Sequence, residues 1–249
     1  MENKIVVGLD YADRRIARQR EGEIILPDKS RRLVADKLAV ELFERLGFEY
    51  ETQSYKKTVY NSKDKALWYL SEDDFEASCQ HKGGFFNPAN WAEKYDLTTE
   101  FLKEKKVYHH FTRADLAFTT DENLFGYFKK TDFKKLLVKS YVRDTECETI
   151  SAENSRFEIV YYNKTKQLKK IRNEDYKKSF SEKFKDFDQI YRLEIRLKGK
   201  DTLEAIPALK AEKIDLKQVA IEFLEATEKR VGLPPELLKK LKEAVYAIK

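Results

Sequence analysis

Three segments alternate apolar and polar residues over the length of a β-strand: VYHHFTRADLAFT at 107–119, RFEIVYYN at 156–163 and IYRLEIRLK at 190–198. A period of two sends successive side chains to opposite faces of a sheet. Arg113 and Asp115 are two apart and share a face, as do Arg192 and Glu194. Each arginine can neutralise its own carboxylate, so an ion-pair network accounts for all four residues. On adjacent strands, both carboxylates could point to the same face of a sheet.

The stretches between these strands supply helices. Residues 4–8 read as a short strand followed by a polar, arginine-rich loop, and apolar spacing predicts a helix from Lys29 to Leu46 closed by Gly47. FEYETQSYKKTVY and ALWYL are rich in aromatic and β-branched residues and predict more strands. KGGFFNPANW reads as a loop or strand end, with Asn90 as cap of a helix running to about Lys105. Helices are also expected over Glu122–Val138 and Lys166–Phe184, with a strand at Glu148–Ser151 pairing with RFEIVYYN. Beyond Asp201 the pattern is helical only, with Asp215 capping one helix that ends near Gly232 and Pro234 in the first turn of the last. The reading is α+β: residues 1–200 form a domain with a central antiparallel sheet flanked by helices, and 201–249 a helical C-terminal extension.

Composition narrows the function. The 249 residues carry 49 Lys and Arg against 44 Asp and Glu, a formal charge of +5, so clustering decides whether a polyanion is held. Cys79 and Cys147 are not in a ligand-spaced pair, which argues against a disulfide framework and a cysteine zinc site. No apolar run is long enough for a signal peptide or a membrane span, so a soluble, cytoplasmic protein is expected. The absence of G-x-x-x-x-G-K-[ST] argues against a P-loop ATPase.

FTRADLAFT (111–119), SRFEIVYYNKTKQL (155–168) and YRLEIRLKGKD (191–201) stand in the order and spacing of an R-x-D, an R-x-Y-N-K and an R-x-E strand, with FFNPANW (85–91) similar to an F-N-P-N turn. Over roughly Gly84 to Asp201 the chain thus resembles the replication-initiation proteins of rolling-circle plasmids. The resemblance implies an HUH-like endonuclease core that nicks one DNA strand. A tyrosine attacks a phosphodiester, forms a covalent phosphotyrosine and conserves the bond energy for rejoining. It also implies Mg²⁺ or Mn²⁺, with Asp115 and Glu194 as oxygen ligands, and Lys164 of the Y-N-K run as a cation beside the phosphate.

The resemblance is incomplete. Several plasmid members carry further acids where this chain has Thr119 and Arg196, and a tyrosine where it has Ser151. These departures resemble the filamentous-phage nicking–joining initiator, whose tyrosine lies in a charged helical segment between the last two motif strands. Tyr176 is the tyrosine of that segment here, and it is the first choice of nucleophile, with Tyr141 and Tyr162 as alternatives. Tyr176, Phe180 and Phe184 also recur as core positions of an amphipathic helix do. His109 and His110 are adjacent on a strand and face opposite ways, so they do not form a His-hydrophobe-His pair. One of them is a candidate third ligand beside Asp115.

Seven of the fifteen residues from Lys164 to Lys178 are Lys or Arg, among them Lys166, Lys169, Lys170 and Arg172. Arg14, Arg15 and Arg18 form a second basic cluster in the expected N-terminal loop. Such runs bind phosphates by counterion release, and neighbouring aromatics stack on unpaired bases. The resulting expectation is an initiator acting at the origin of a small plasmid or phage, with a host helicase extending the opening. The C-terminal helices are candidates for sequence readout or for homodimer contacts. The alternatives are a DNA-binding regulator of the same fold with a degraded site, and a mobilisation relaxase.

Overall fold

The structure is a computed structural model that describes residues 4–20, 38–47, 50–54, 57–62, 66–71, 77–82, 88–128, 133, 135–143, 148–172 and 174–248. Among the described residues, ten strands form one antiparallel sheet in the order β2-β3-β4-β5-β1-β6-β10-β9-β8-β7. They are β1 (Ile5–Arg20), β2 (Tyr50–Ser54), β3 (Lys57–Ser62), β4 (Ala66–Ser71), β5 (Ala77–Lys82), β6 (Val107–Thr120), β7 (Leu137–Arg143), β8 (Glu148–Glu153), β9 (Phe157–Asn163) and β10 (Tyr191–Lys198). The helices are α1 (38–45), α2 (Pro88–Glu104), α3 (Lys164–Lys170), α4 (Glu174–Lys183), α5 (Lys200–Leu203), α6 (Leu216–Arg230) and α7 (Pro235–Tyr246). The fold is α+β, as the alternation and the helical spacing predict.

The three alternating segments lie side by side at the centre as β6, β10 and β9. In β9 the alternation is strict: Phe157, Ile159 and Tyr161 are buried on one face, while Glu158, Val160 and Tyr162 turn to the other. The buried face joins Leu116, Phe118, Leu193, Ile195 and Leu197 in the main core with Val219, Phe223, Leu237 and Leu241 of α6 and α7. Each such buried aliphatic or aromatic side chain contributes roughly 1.5–3 kcal/mol. The C-terminal extension is thus one side of the main core, and further contacts latch it. Tyr95 Oη of α2 donates to the Leu209 carbonyl at 2.6 Å, the Ile214 N–H donates to Asp96 at 2.8 Å, and Lys240 pairs with Glu122. The opposite sheet face is covered at one end by α3 and α4, where Ala117 meets Leu168, Phe180 and Phe184.

Several expectations are corrected. The arginine-rich loop is absent: β1 runs for 16 residues to Arg20. No α-helix occupies Glu122–Val138 among the described residues. A 3-10 turn, Leu124–Tyr127, capped by Asn123, gives way to β7 at Leu137. Phe125, Phe128 and Phe133 have the spacing of a helix face, yet each is buried, with Phe125 and Phe128 against Tyr161. The expected helix Lys166–Phe184 is two helices, α3 and α4, and the helix expected to start after Asn90 begins at Pro88, a proline in the first turn. Strand β5 was not foreseen. Asp215 caps α6 by accepting from the N–H groups of Lys217 and Gln218, and Gly47 follows α1 at φ +65°, both as expected. Residues 29–37 and the FFN part of FFNPANW lie outside the described residues. Among those described, no helix is long and apolar enough to cross a membrane.

Candidate active site

The site lies on the sheet face under α3 and α4. In the β6–β10 ladder Asp115 is opposite Arg196 and Glu194 opposite Ala117, and this register puts both carboxylates on one face, as the alternation allows. Arg113 grips Asp115 through both oxygens, Nε to Oδ1 at 2.8 Å and Nη2 to Oδ2 at 2.6 Å. Glu194 is held from two sides: Arg192 Nε donates to Oε1 at 2.8 Å and Arg196 Nη2 to Oε2 at 2.6 Å. Arg196 also reaches Glu158 at 3.0 Å and stands 3.7 Å from Asp115, which joins the two pairs. The two departures from the plasmid pattern have structural roles here, since Thr119 Oγ1 accepts from Arg192 at 3.3 Å and Arg196 links three acids.

Asp10, which no motif singles out, completes the network by pairing with Arg192 at 2.8 Å. It is skipped in the β1–β6 register between Leu9 and Tyr11, and this bulge re-aims its side chain. Periodicity alone does not reveal a bulge.

Burial raises the Glu194 carboxyl, but Arg192 and Arg196 outweigh it and hold the group at about 2. Asp115 is shifted up, because its burial, with Glu194 nearby, exceeds the pull of Arg113 and Arg196. With the oxygens of both carboxylates engaged by guanidinium N–H groups, the pair as it stands does not fit Mg²⁺ or Mn²⁺. Among the described residues no group of three or more His, Cys, Asp or Glu is arranged to hold a metal ion. His109 is no third ligand beside Asp115: it pairs opposite Ile16 on the core face, and burial and Arg14 lower it to about 4. His110, opposite Arg15, points the other way.

The Y-N-K run ends β9 and opens α3. Asn163 caps α3, its Oδ1 accepting from the Lys166 N–H at 2.9 Å. Lys164 is buried, with Nζ 5.5 Å from the Tyr162 ring centre, 5.3 Å from Tyr176 and 5.1 Å from Phe180, and it donates to Gln167 at 2.6 Å. Burial and Arg192 lower its ammonium to about 8. Tyr162 Oη donates to Glu194 at 2.8 Å. The fold therefore brings Tyr176, Tyr162, Lys164 and Glu194 together. Tyr176 is half-buried in the cluster of Phe180 and Phe184, as its helical spacing predicts, and it also senses Arg192, Asp10 and Glu194. Tyr141 is on the outer strand β7, and its side chain lies outside the described residues. Ser151 is opposite Val160, which is opposite Glu194, so it belongs to the same row across the sheet.

The chain is similar to the solved structure of the rolling circle replication initiator protein from Geobacillus stearothermophilus, with a TM-score of 0.55 at 15% identity over 96% of this chain and 97% of that one. The likeness extends over the whole fold. No protein-family model and no curated protein sequence matches the chain.

The basic residues divide. Lys169, Lys170 and Arg172 are exposed at the end of α3, and Lys166 is half-buried in the same helix. Arg15 is exposed on β1, and the Arg18 side chain lies outside the described residues. Arg14 is the correction: it is 0% exposed, turned to the core side of β1, and cannot meet a DNA phosphate.

Proposed function

We propose that this chain is a rolling-circle replication initiator that binds the origin of a small plasmid or phage replicon and nicks one strand through Tyr176. The observation that carries this reading is the convergence of Tyr176, Tyr162 and Lys164 on one charged sheet face beside the basic helix α3. Its support comes from a fold similar to that of a known initiator.

The chemistry follows from the side chains. Tyr176 Oη attacks phosphorus, forming a Tyr–O–P bond and breaking the P–O3′ bond. Tyr176 gives up its hydroxyl proton to solvent in the attack, and the released 3′ oxygen takes one up and primes synthesis by a host polymerase as a host helicase unwinds the duplex. Burial raises the Tyr176 hydroxyl, so it needs a cation beside it to become an effective nucleophile. Lys164 supplies that charge, and Lys169, Lys170 and Arg172 hold the flanking phosphates.

One observation favours the second reading, a DNA-binding regulator of the same fold: arginines, not open coordination positions, occupy Asp115 and Glu194. Covalent trapping separates the two. Labelled single-stranded origin DNA is incubated with protein and Mn²⁺, and separately with chelator, then run on a denaturing gel. A protein–DNA band lost in Tyr176→Phe and kept in Tyr141→Phe is the expected result. Absence of a band, with a mobility shift retained, would establish the regulator. A band that requires Mn²⁺ would mean that the cation displaces guanidinium groups from the carboxylates.

A further inference from the structure

Arg196 has a place in the site that the nicking chemistry above does not use. In β10 it stands opposite Asp115 of β6 on one side and opposite Glu158 of β9 on the other. Glu194 is two residues back on the same strand and shares its face. Arg196 thus meets an acid from each of β6, β9 and β10. Its Nη1 donates to Glu158 Oε1 at 3.0 Å, its Nη2 to Glu194 Oε2 at 2.6 Å, and its Nε lies 3.7 Å from Asp115 Oδ2.

Every oxygen of these carboxylates already has a side-chain donor. Arg113 takes both oxygens of Asp115, Glu194 Oε1 accepts from Arg192 and from Tyr162, and Glu158 Oε2 pairs with Lys198 at 2.6 Å. Mg²⁺ and Mn²⁺ need carboxylate or carbonyl oxygens free to coordinate. To enter here, either ion has to displace Arg196 and then stand among Arg113, Arg192 and Lys198, whose like charges repel it. Arg196 brings its own charge to the same place without the entropy loss of capturing a free ion, because the chain tethers it beside Glu194. Within this network Asp10, Asp115, Glu158 and Glu194 are matched in number by Arg113, Arg192, Arg196 and Lys198, so loss of Arg196 leaves an excess of negative charge.

We infer that Arg196 is the resident cation of this site: it takes the place between Asp115 and Glu194 that the resemblance gives to Mg²⁺ or Mn²⁺, and a divalent ion binds there only once Arg196 is removed. One consequence rests on the initiator reading, namely that a DNA phosphate meets a guanidinium here and that strand cleavage needs no divalent ion. Arg196 keeps 23% of its side chain exposed, and each of its terminal nitrogens carries a second N–H for a phosphate oxygen.

Mn²⁺ is the probe, and its uptake by the full chain without DNA is followed by electron paramagnetic resonance of the free ion. The wild type is expected to show no saturable uptake. Arg196→Ala is expected to bind Mn²⁺ at least about tenfold more tightly than the wild type, since affinity for a hard cation follows the charge of its free ligands. Arg196→Ala/Glu194→Gln is expected to lose that binding, and Arg196→Lys, which keeps the charge, to exclude the ion as the wild type does. The inference is overturned by saturable wild-type binding that Glu194→Gln abolishes, or by a folded Arg196→Ala chain that takes up no Mn²⁺. Binding that persists in the double variant, or that Arg196→Lys shares with Arg196→Ala, overturns it as well. Should Arg196→Ala fail to fold, the wild-type titration still decides. Covalent trapping then separates this inference from the nicking reading. A band that survives chelation supports both, and a band that needs Mn²⁺ overturns the role of Arg196. No band under either condition counts against nicking alone, and the Mn²⁺ titration continues to decide the assignment of Arg196.

Discussion

At the scale of single residues, Glu194 and Lys164 are shifted in ways that can be measured. Glu194 is held at about 2 against an ordinary value of 4.5. A depressed carboxyl contributes stability that is present above its unfolded value and is lost as pH falls through the folded one. Wild-type stability is therefore expected to decline from about pH 4.5 toward 2, and Glu194→Gln to be flatter there, by urea unfolding at each pH. At neutral pH the same substitution leaves buried Arg192 with Asp10 and half-buried Arg196 with Glu158 and Asp115, so its cost is expected to stay below the roughly 3–5 kcal/mol of a buried charge left with no partner. Lys164 titrates at about 8 because it is buried and close to Arg192. If it neutralises a phosphate, single-stranded DNA affinity falls as pH rises through about 8, and Lys164→Arg, which does not titrate, removes that limb. A binding titration between pH 6.5 and 9.5 tests this, and an unchanged limb in Lys164→Arg would assign it to another group.

Among the elements, the helix pair α3–α4 links fold to chemistry. Asn163 ends β9 and caps α3, so the residue that terminates the strand also positions Lys164. Asn163→Ala is expected to cost about 1 kcal/mol in urea unfolding, the value of one lost cap. The exposed end of α3 is the other half of the argument. If Lys169, Lys170 and Arg172 each meet a phosphate, their joint replacement by alanine lowers the slope of log affinity against log salt by about 2 on single strands. A slope unchanged from the wild type would place the phosphates on another surface. Two helices appear where one was expected because α3 closes at Ile171, whose N–H bonds to Leu168, before α4 begins at Glu174. A charged composition suits either arrangement.

For the whole molecule, the two faces of the sheet are closed by different helices. Its core face is closed by α2, α6 and α7, its other face by α3 and α4 over the arginine–carboxylate network. Because Val219, Phe223, Leu237 and Leu241 pack in the same core as Leu193 and Ile195, the C-terminal helices complete the fold that carries the site. A chain ending at residue 200 is expected to lose its cooperative unfolding transition, followed by circular dichroism and limited proteolysis. A sharp transition in that fragment would make the extension a separable unit.

What the sequence determined by itself was the sheet and its two faces. A period of two in β6 and β10 allows Asp115 and Glu194 to share a face, which the register then decides, and the arginine two residues from each predicts the ion pairs that form. The caps at Asp215 and the stop at Gly47 were legible for the same reason: their causes lie within a few residues. The tertiary structure decided the rest. Only packing of Phe125 and Phe128 against Tyr161, with Phe133 stacked on Phe128, could turn a segment expected as a helix into plugs of the core. Only a bulge could deliver Asp10 to Arg192, two strands away. Only the neighbouring rings could bury Arg14, which the sequence had set among surface arginines. Local rules fix what a segment prefers, whereas burial and charge pairing depend on residues far apart in the chain.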